Sequence, residues 1–198
     1  MTFVAFIRHG QTDWNRDDRM QGSSDIPLND TGRAQALEAV EVLRPTAWDV
    51  VVSSPLVRAR ETAEIIAAAL EIELGASYPE FVERDYGPFE GANATECIAR
   101  YPGKDYPDAE SISSVVERGL HGLVKVAADH PGRNVVIVCH GTIIRYTLAT
   151  IAGHPVDGIH NGTVSELERD AEGWRVLTVN GAPIMAASDP IRGETENA

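Results

Sequence analysis

Phe3-Val4-Ala5-Phe6-Ile7-Arg8-His9-Gly10 and Asn134-Val135-Val136-Ile137-Val138-Cys139-His140-Gly141 follow one plan. In each, a short apolar run ends in a polar group that finishes His-Gly. Runs of this length, apolar on both faces, read as strands buried between two layers. Between and around them lie helical patterns. Residues 31–44 predict a helix capped by Asn29 or Asp30, with Ala36, Leu37, Val40 and Leu43 at helical spacing. Asp49–Ser53 is a β-branched strand. Ser54-Pro55 then opens a second helix, serine at the cap and proline in the first turn, with Ala59, Ala63, Ile66, Ala67 and Leu70 as its stripe. Asn93 and Glu96 predict a capping box for a short helix. Residues from Ser111 to about Asp129 and from Thr142 to Ala152 read as further helices. Thr163–Glu168 and Trp174–Val179 alternate around Asp170–Gly173 and read as a closing hairpin. Strands alternating with helices predict an α/β sandwich with a largely parallel sheet. Residues 1–180 read as one domain. Residues 181–198, with Pro183, Pro190 and Gly193, read as a flexible C-terminal tail.

Composition narrows the class. The chain has 198 residues, 43% hydrophobic and 24% charged, enough for one buried core. No apolar run approaches the ~20 residues that cross a bilayer, and Arg8-His9 interrupts the N-terminal run too early for a secretory signal, so a cytoplasmic location is expected. Cys97 and Cys139 are too few for a disulfide framework. The net charge of −13 argues against nucleic acid and anionic membrane as partners. That charge is unevenly spread: −1 over residues 1–60, −9 over 61–130 and −3 over 131–198. The first 60 residues hold seven arginines and no lysine. Such a segment suits a small planar anion such as phosphate; genomic base composition is the plainer explanation.

The strand ends carry the chemistry. In open α/β sheets ligands bind beyond the carboxyl ends of the strands. There the chain places Arg8-His9-Gly10, Ser53-Ser54 with Arg58 one helical turn on, and His140-Gly141. Glycine after each histidine lets the backbone approach a ligand closely and adopt positive φ. Arg8 after a buried strand needs an anion, or a carboxylate in a structural salt bridge. A neutral imidazole is a competent nucleophile toward phosphorus when its second nitrogen is held by a hydrogen bond. Guanidinium groups, and a second, protonated histidine, would hold the phosphate oxygens and neutralise their charge. The leaving alkoxide needs a proton donor, normally a carboxylic acid. No metal or other cofactor is called for: His9, His121, His130, His140, His154 and His160 show no metal-ligand spacing. Walker, G-x-G-x-x-G and G-x-S-x-G signatures are absent. Cys139, inside a strand, reads as a small core residue.

Arg8-His9-Gly10-Gln11-Thr12-Asp13-Trp14-Asn15 resembles the R-H-G-[EQ]-[ST]-x-x-N signature of the histidine phosphatase superfamily, in its phosphoglycerate-mutase-like branch. Further blocks follow in the family's order. They are Gln21-Gly22 through Gln35, Ser53-Ser54-Pro55-Leu56 with Arg58 and Thr62, Glu83-Arg84-Asp85-Tyr86-Gly87 with Glu90-Gly91, Glu110-Ser111, His140-Gly141 with Arg145, and Asn161. The resemblance runs from about residue 3 to 180. It implies a three-layer α/β/α sandwich with a mostly parallel central sheet. It implies His9 as the nucleophile that becomes phosphohistidine, with Arg8, Arg58 and His140 forming the phosphate pocket and Asn15 adding a contact. Glu83 is implied as general acid, then base. Gln21, Gly22, Arg84, Tyr86 and Gly141 fall where family members bind substrate. Residues 92–115, with Tyr101, Lys104, Asp105 and Tyr106, are expected to line the substrate pocket.

Within the family the chain resembles metabolite phosphatases more than mutases. The mutases carry a longer insertion with adjacent arginines, and a lysine shortly after the acid block. Here Glu83 to His140 spans 57 positions without an Arg-Arg pair, and Asn93-Ala94-Thr95 stands at the lysine's place. Tyr86 is the one mutase-like choice. The expected activity is metal-independent phosphomonoester hydrolysis of a small phosphorylated metabolite. A phosphoglycerate mutase and a non-catalytic phosphate-binding module are the alternatives. His140-Gly141-Thr142 also fits the H-x-T motif of two-histidine phosphodiesterases, but His9 lacks the matching threonine. A homodimer is left open.

Overall fold

A computed structural model describes residues 2–184. In chain order its elements are β1 (Thr2–Arg8), α1 (Asp13–Arg16), α2 (Asp30–Leu43), β2 (Val50–Ser53), α3 (Val57–Leu70), β3 (Glu73–Ser77), α4 (Ala94–Arg100), α5 (Ile112–Asp129), β4 (Val135–Cys139), α6 (Gly141–Ala152), β5 (Val164–Arg169), β6 (Trp174–Val176), β7 (Thr178–Val179) and β8 (Ala182–Pro183). Six strands form one sheet in the order β3-β2-β4-β1-β5-β6. The pairings β1–β4, β2–β4 and β2–β3 are parallel; β1–β5 and β5–β6 are antiparallel.

Side chains on the central strands alternate between two cores, as the pleat requires. Val4, Phe6, Val50, Val52, Val135 and Ile137 meet Val115 and Leu123 of α5 and Ile143 and Leu148 of α6. Ala5, Ile7, Val51, Val136 and Val138 meet Val40 and Leu43 of α2 and Ala63 and Ile66 of α3. These strands are therefore apolar at every position, and the chain is the three-layer sandwich expected. No helix among the described residues is long and apolar enough to cross a membrane.

Several local expectations are corrected. Ser54 does not cap α3. That helix starts at Val57 with Leu56 at its N-cap and no side-chain cap; the Ser54 hydroxyl instead accepts from Leu56 N–H at 3.3 Å and lies 2.8 Å from His140 Nε2. The predicted box at Asn93 forms in half, Glu96 N–H donating to Asn93 Oδ1 at 2.9 Å. A complete box forms instead at Thr12 and Asn15. β3 was not read, since Gly75 and a half-exposed edge leave no apolar pattern. Ala182–Pro183, expected to lie in the tail, pair with Thr178–Val179. Residues 185–198 of that tail lie outside the described residues.

Candidate active site

Strand register builds the site. Arg8 of β1 pairs with Cys139 of β4, and Ser53 of β2 pairs with Val138. The next residues continue the ladder: His9 N–H donates to Cys139 O and Ser54 N–H to Val138 O, each at 2.9 Å. His9, Ser54 and His140 thus leave adjacent strands at one level. The two imidazole centroids lie 5.1 Å apart at 61°.

His9 is held in one tautomer. Its Nδ1 lies 2.7 Å from Gly10 O, which can only accept, so Nδ1 carries the proton. On the other side Arg58 Nε–H donates to Nε2 at 3.2 Å, which requires the Nε2 lone pair. Burial, then the Arg58 and Arg8 charges, push the imidazole well below its usual range, so it stays neutral. His140 is likewise held neutral, by burial first and then by Arg58, His9 and Arg8. Burial and the neighbouring arginines thus oppose the protonated second histidine expected from sequence. His140 Nε2 lies 2.8 Å from Ser54 Oγ, and its buried Nδ1 has no partner among the described residues.

Both arginines are cations with unusual surroundings. Arg58 is fully buried, and burial lowers it to about 10. Its Nη1 and Nη2 donate to Ser24 O and Gly22 O, each at 2.8 Å. Those carbonyls are fixed by Glu90, which accepts from the backbone and hydroxyl groups of both Ser23 and Ser24. Burial alone would raise the Glu90 carboxyl; these four bonds outweigh it and hold it low. Arg8 donates Nη1–H to Ile159 O at 2.6 Å, while its buried Nε has no acceptor among the described residues. Neither arginine has a carboxylate within salt-bridge distance among the described residues, which removes the structural ion pair as the explanation for Arg8.

Glycine acts by close approach. A Cβ on Gly10 would stand 2.1 Å from Gly32 O, and one on Gly141 3.3 Å from Arg8 Nε. Neither has positive φ. Gly10 lets the strand end cross the start of α2. Gly10→Ala is expected to destabilise the fold by about 1–3 kcal/mol or more, since only backbone can yield. The midpoint of denaturant unfolding measures this.

Glu83 lies across the cleft at the start of α6. Its carboxylate accepts from Thr142 N at 3.0 Å, Ile143 N at 3.3 Å and Arg84 N at 2.8 Å. Arg118, paired with Glu110, donates to Val82 O and Glu83 O and fixes this backbone. Tyr86 donates or accepts at Thr142 Oγ1, 2.7 Å away, and burial and the Glu83 charge raise its phenol.

Arg8, His9, Arg58, Glu83, Asn15 and Gln21 line one cleft of about 400 Å³. Gly22, Arg84, Tyr86 and Gly141 line it as well, so all the candidate residues but His140 reach its surface. His140 is buried beside His9. Asn15 Oδ1 is taken by Thr12 N and Asn161 Nδ2, leaving its Nδ2 without an acceptor among the described residues. Arg84 reaches the cleft with Nε and Nη1 committed to Glu110 O and Lys104 O. Of the 92–115 segment, Ala94, Ile98, Lys104 and Tyr106 line the cleft, whereas Tyr101 packs behind them on Phe89 and Tyr106. Sequence reasoning missed Ser54 as the partner of His140. It also missed Asn161 as a brace: its Nδ2 donates to His9 O at 2.9 Å. Two histidine-bearing strands adjoining Ser53-Ser54 were the signal for the first. Nothing local signalled the second. Among the described residues, no group of three or more His, Cys, Asp or Glu side chains could hold a metal ion. Cys139 is buried core, its thiol pushed well up by burial.

The family model of the histidine phosphatase superfamily (branch 1) matches residues 4–182. The chain belongs to that superfamily. Among relatives, Bacillus subtilis (strain 168) "Uncharacterized phosphatase PhoE" is 40% identical, over 91% of this chain and 95% of its own. "Probable phosphoglycerate mutase GpmB" of Cronobacter sakazakii is 29% identical, over 90% and 92%. The solved mycobacterial glucosyl-3-phosphoglycerate phosphatase Rv2419c, complexed with VO3, superposes with a TM-score of 0.81 at 28% identity, over 91% of this chain and 99% of its own. As a histidine phosphatase, the chain is an enzyme of the phosphatase type, and its sheet is the sandwich of the phosphoglycerate-mutase-like fold.

Proposed function

We propose that this histidine phosphatase hydrolyses a small phosphomonoester without metal, through a phosphohistidine on His9. The observation that carries the proposal is the hydrogen bonding of His9, with Nδ1 held by Gly10 O and Nε2 facing Arg58 Nε, beside an Arg8 whose buried Nε has no acceptor among the described residues. Buried donors without acceptors call for an anion. In the first step Nε2 attacks phosphorus as the P–O bond to the alcohol breaks. Glu83, as the acid, protonates the leaving oxygen. In the second step Glu83, now the carboxylate, takes a proton from water as its oxygen attacks phosphorus, and His9 departs as neutral imidazole. Arg58 Nε–H, which caps Nε2 in the free site, passes to a phosphate oxygen. His140 Nδ1 is a further donor or acceptor for the bound anion.

Hydrolysis is favoured over mutase chemistry by the cleft itself. Between Glu83 and the start of α5 the chain supplies only the short α4 and one wall of tyrosines. Water reaches such a site, and a mutase must exclude it. The 40% identical relative is named a phosphatase.

The test is phosphate release from p-nitrophenyl phosphate in excess EDTA. Turnover should continue, and vanadate should inhibit as a mimic of five-coordinate phosphorus. Complete loss in EDTA, restored by a divalent metal, contradicts the proposal. So does phosphoryl transfer within phosphoglycerate that outpaces release of phosphate.

A further inference from the structure

Charge is distributed around this cleft in an uncommon way. In a chain of net charge −13, the cleft is lined by six basic residues and only two acidic ones, Asp18 and Glu83. None of the six has a carboxylate within 4 Å among the described residues. Outside the cleft the pattern reverses. Every basic residue of 2–184 there makes a salt bridge, except Arg100 and Arg169, which lie over the rings of Tyr101 and Trp174. Pairing is the rule in this protein, and the cleft is where it is withheld.

Arg8 and Arg58 are used by the transferred phosphoryl group. Lys104 and Arg145 are not. Arg145 stands on α6, one turn beyond Gly141. Its Nε donates to Val156 O at 2.9 Å, which fixes the fork, while Nη1 and Nη2 find no acceptor among the described residues. Lys104 Nζ likewise has none. Its backbone sits at φ 58°, a conformation uncommon for a non-glycine residue. Arg84, whose guanidinium lies 5.4 and 5.2 Å from the Tyr86 and Tyr106 ring centroids, donates Nη1–H to Lys104 O at 3.0 Å.

We propose that Lys104 and Arg145 form a second anion site, and that the substrate of this phosphatase carries a further carboxylate or phosphate besides the group it loses. Arg84 is then a positioning residue that holds Lys104 in place. The inference rests on the phosphomonoesterase reading and names its substrate class. The repulsion is also visible in Lys104, which is lowered by burial and then by the Arg145 and Arg84 charges. An anion between these groups relieves that repulsion and gains charge-assisted bonds.

Matched substrates test this. O-phosphoserine and O-phosphoethanolamine differ only in the carboxylate; fructose 1,6-bisphosphate and fructose 6-phosphate differ in the second phosphate. The wild-type enzyme should prefer the doubly anionic member of at least one pair by tenfold or more in kcat/KM, and the pair that responds identifies the anion. Lys104→Gln and Arg145→Gln should each lower that ratio about tenfold, chiefly through KM, and Arg145→Lys should recover part of it. The ratio needs no reference to absolute activity, so partial unfolding does not mimic the result. Ratios near one in the wild type for both pairs, or ratios unchanged in both glutamine variants, overturn the second site and leave the phosphatase intact. Absence of p-nitrophenyl phosphate turnover overturns the phosphatase reading itself.

Discussion

His9→Ala should lower kcat/KM for phosphomonoesters by roughly 10⁴–10⁶-fold, the scale on which loss of a nucleophile is felt. The size follows from geometry. Nδ1 is tied to Gly10 O, Nε2 carries the lone pair that accepts from Arg58 Nε–H, and burial with two neighbouring cations keeps it unprotonated. His140 cannot substitute, because its Nε2 is engaged with Ser54 Oγ and it is fully buried. The variant also strips Arg58 Nε of its acceptor. A buried charged donor left unsatisfied costs about 1–3 kcal/mol. The variant should therefore unfold earlier than wild type and regain stability in phosphate, which replaces the lost acceptor. Thermal melts with and without phosphate measure that recovery. More than one per cent of wild-type kcat/KM in a folded variant contradicts the nucleophile assignment.

Glu83→Gln should slow hydrolysis of alkyl phosphates by roughly 10²–10⁴-fold, the usual range for acid–base catalysis. An alkoxide is a poor leaving group and needs a proton as the P–O bond breaks. Nitrophenolate leaves with little help. With p-nitrophenyl phosphate the phosphorylation step should therefore suffer much less, while hydrolysis of the intermediate loses its base. A burst of nitrophenol followed by slow turnover is the expected trace. The structure also gives Glu83 an anchoring task, since Thr142, Ile143 and Arg84 N–H groups all converge on it. Glutamine keeps one carbonyl acceptor but brings an NH₂ toward those donors. Anchoring alone would cost stability and slow both substrates equally. Equal loss in the phosphorylation rate for alkyl and nitrophenyl phosphates would mean that Glu83 is not the acid. Glu90 is then no replacement, being saturated by Ser23 and Ser24.

Much of this site is legible in sequence because its parts lie where regular structure stops. The strands around Phe6 and Ile137 are apolar at every position, so their ends are sharp, and His9 and His140 stand at those ends. Parallel pairing with β2 then brings Ser54 and Arg58 to the same level. Glu83 is different. It lies in irregular chain after Pro79–Phe81, and composition offers thirty acidic residues to choose from; only the family resemblance singled it out. Ser54 departs from its expected role because Ser-Pro before an apolar stripe is a good cap signal, whereas the helix begins three residues later and the hydroxyl meets a histidine 86 residues away. Glycine after each histidine was noticed for the wrong reason: Gly10 serves a backbone crossing with Gly32, a contact no local pattern encodes. The same holds for Lys104, whose carbonyl is held by an Arg84 that lies against two tyrosine rings. Net charge concealed the cleft altogether, because the acidic majority lies outside it.

Rapid quenching of the enzyme during turnover of a ³²P-labelled phosphomonoester, followed by peptide mapping, tests the phosphohistidine directly. One acid-labile, alkali-stable label should appear on the peptide containing His9, at up to one per chain. It should rise in Glu83→Gln with the nitrophenyl substrate and be absent in His9→Ala. Label on His140 or on any other residue, or rapid turnover with no covalent label at any quench time, would contradict it.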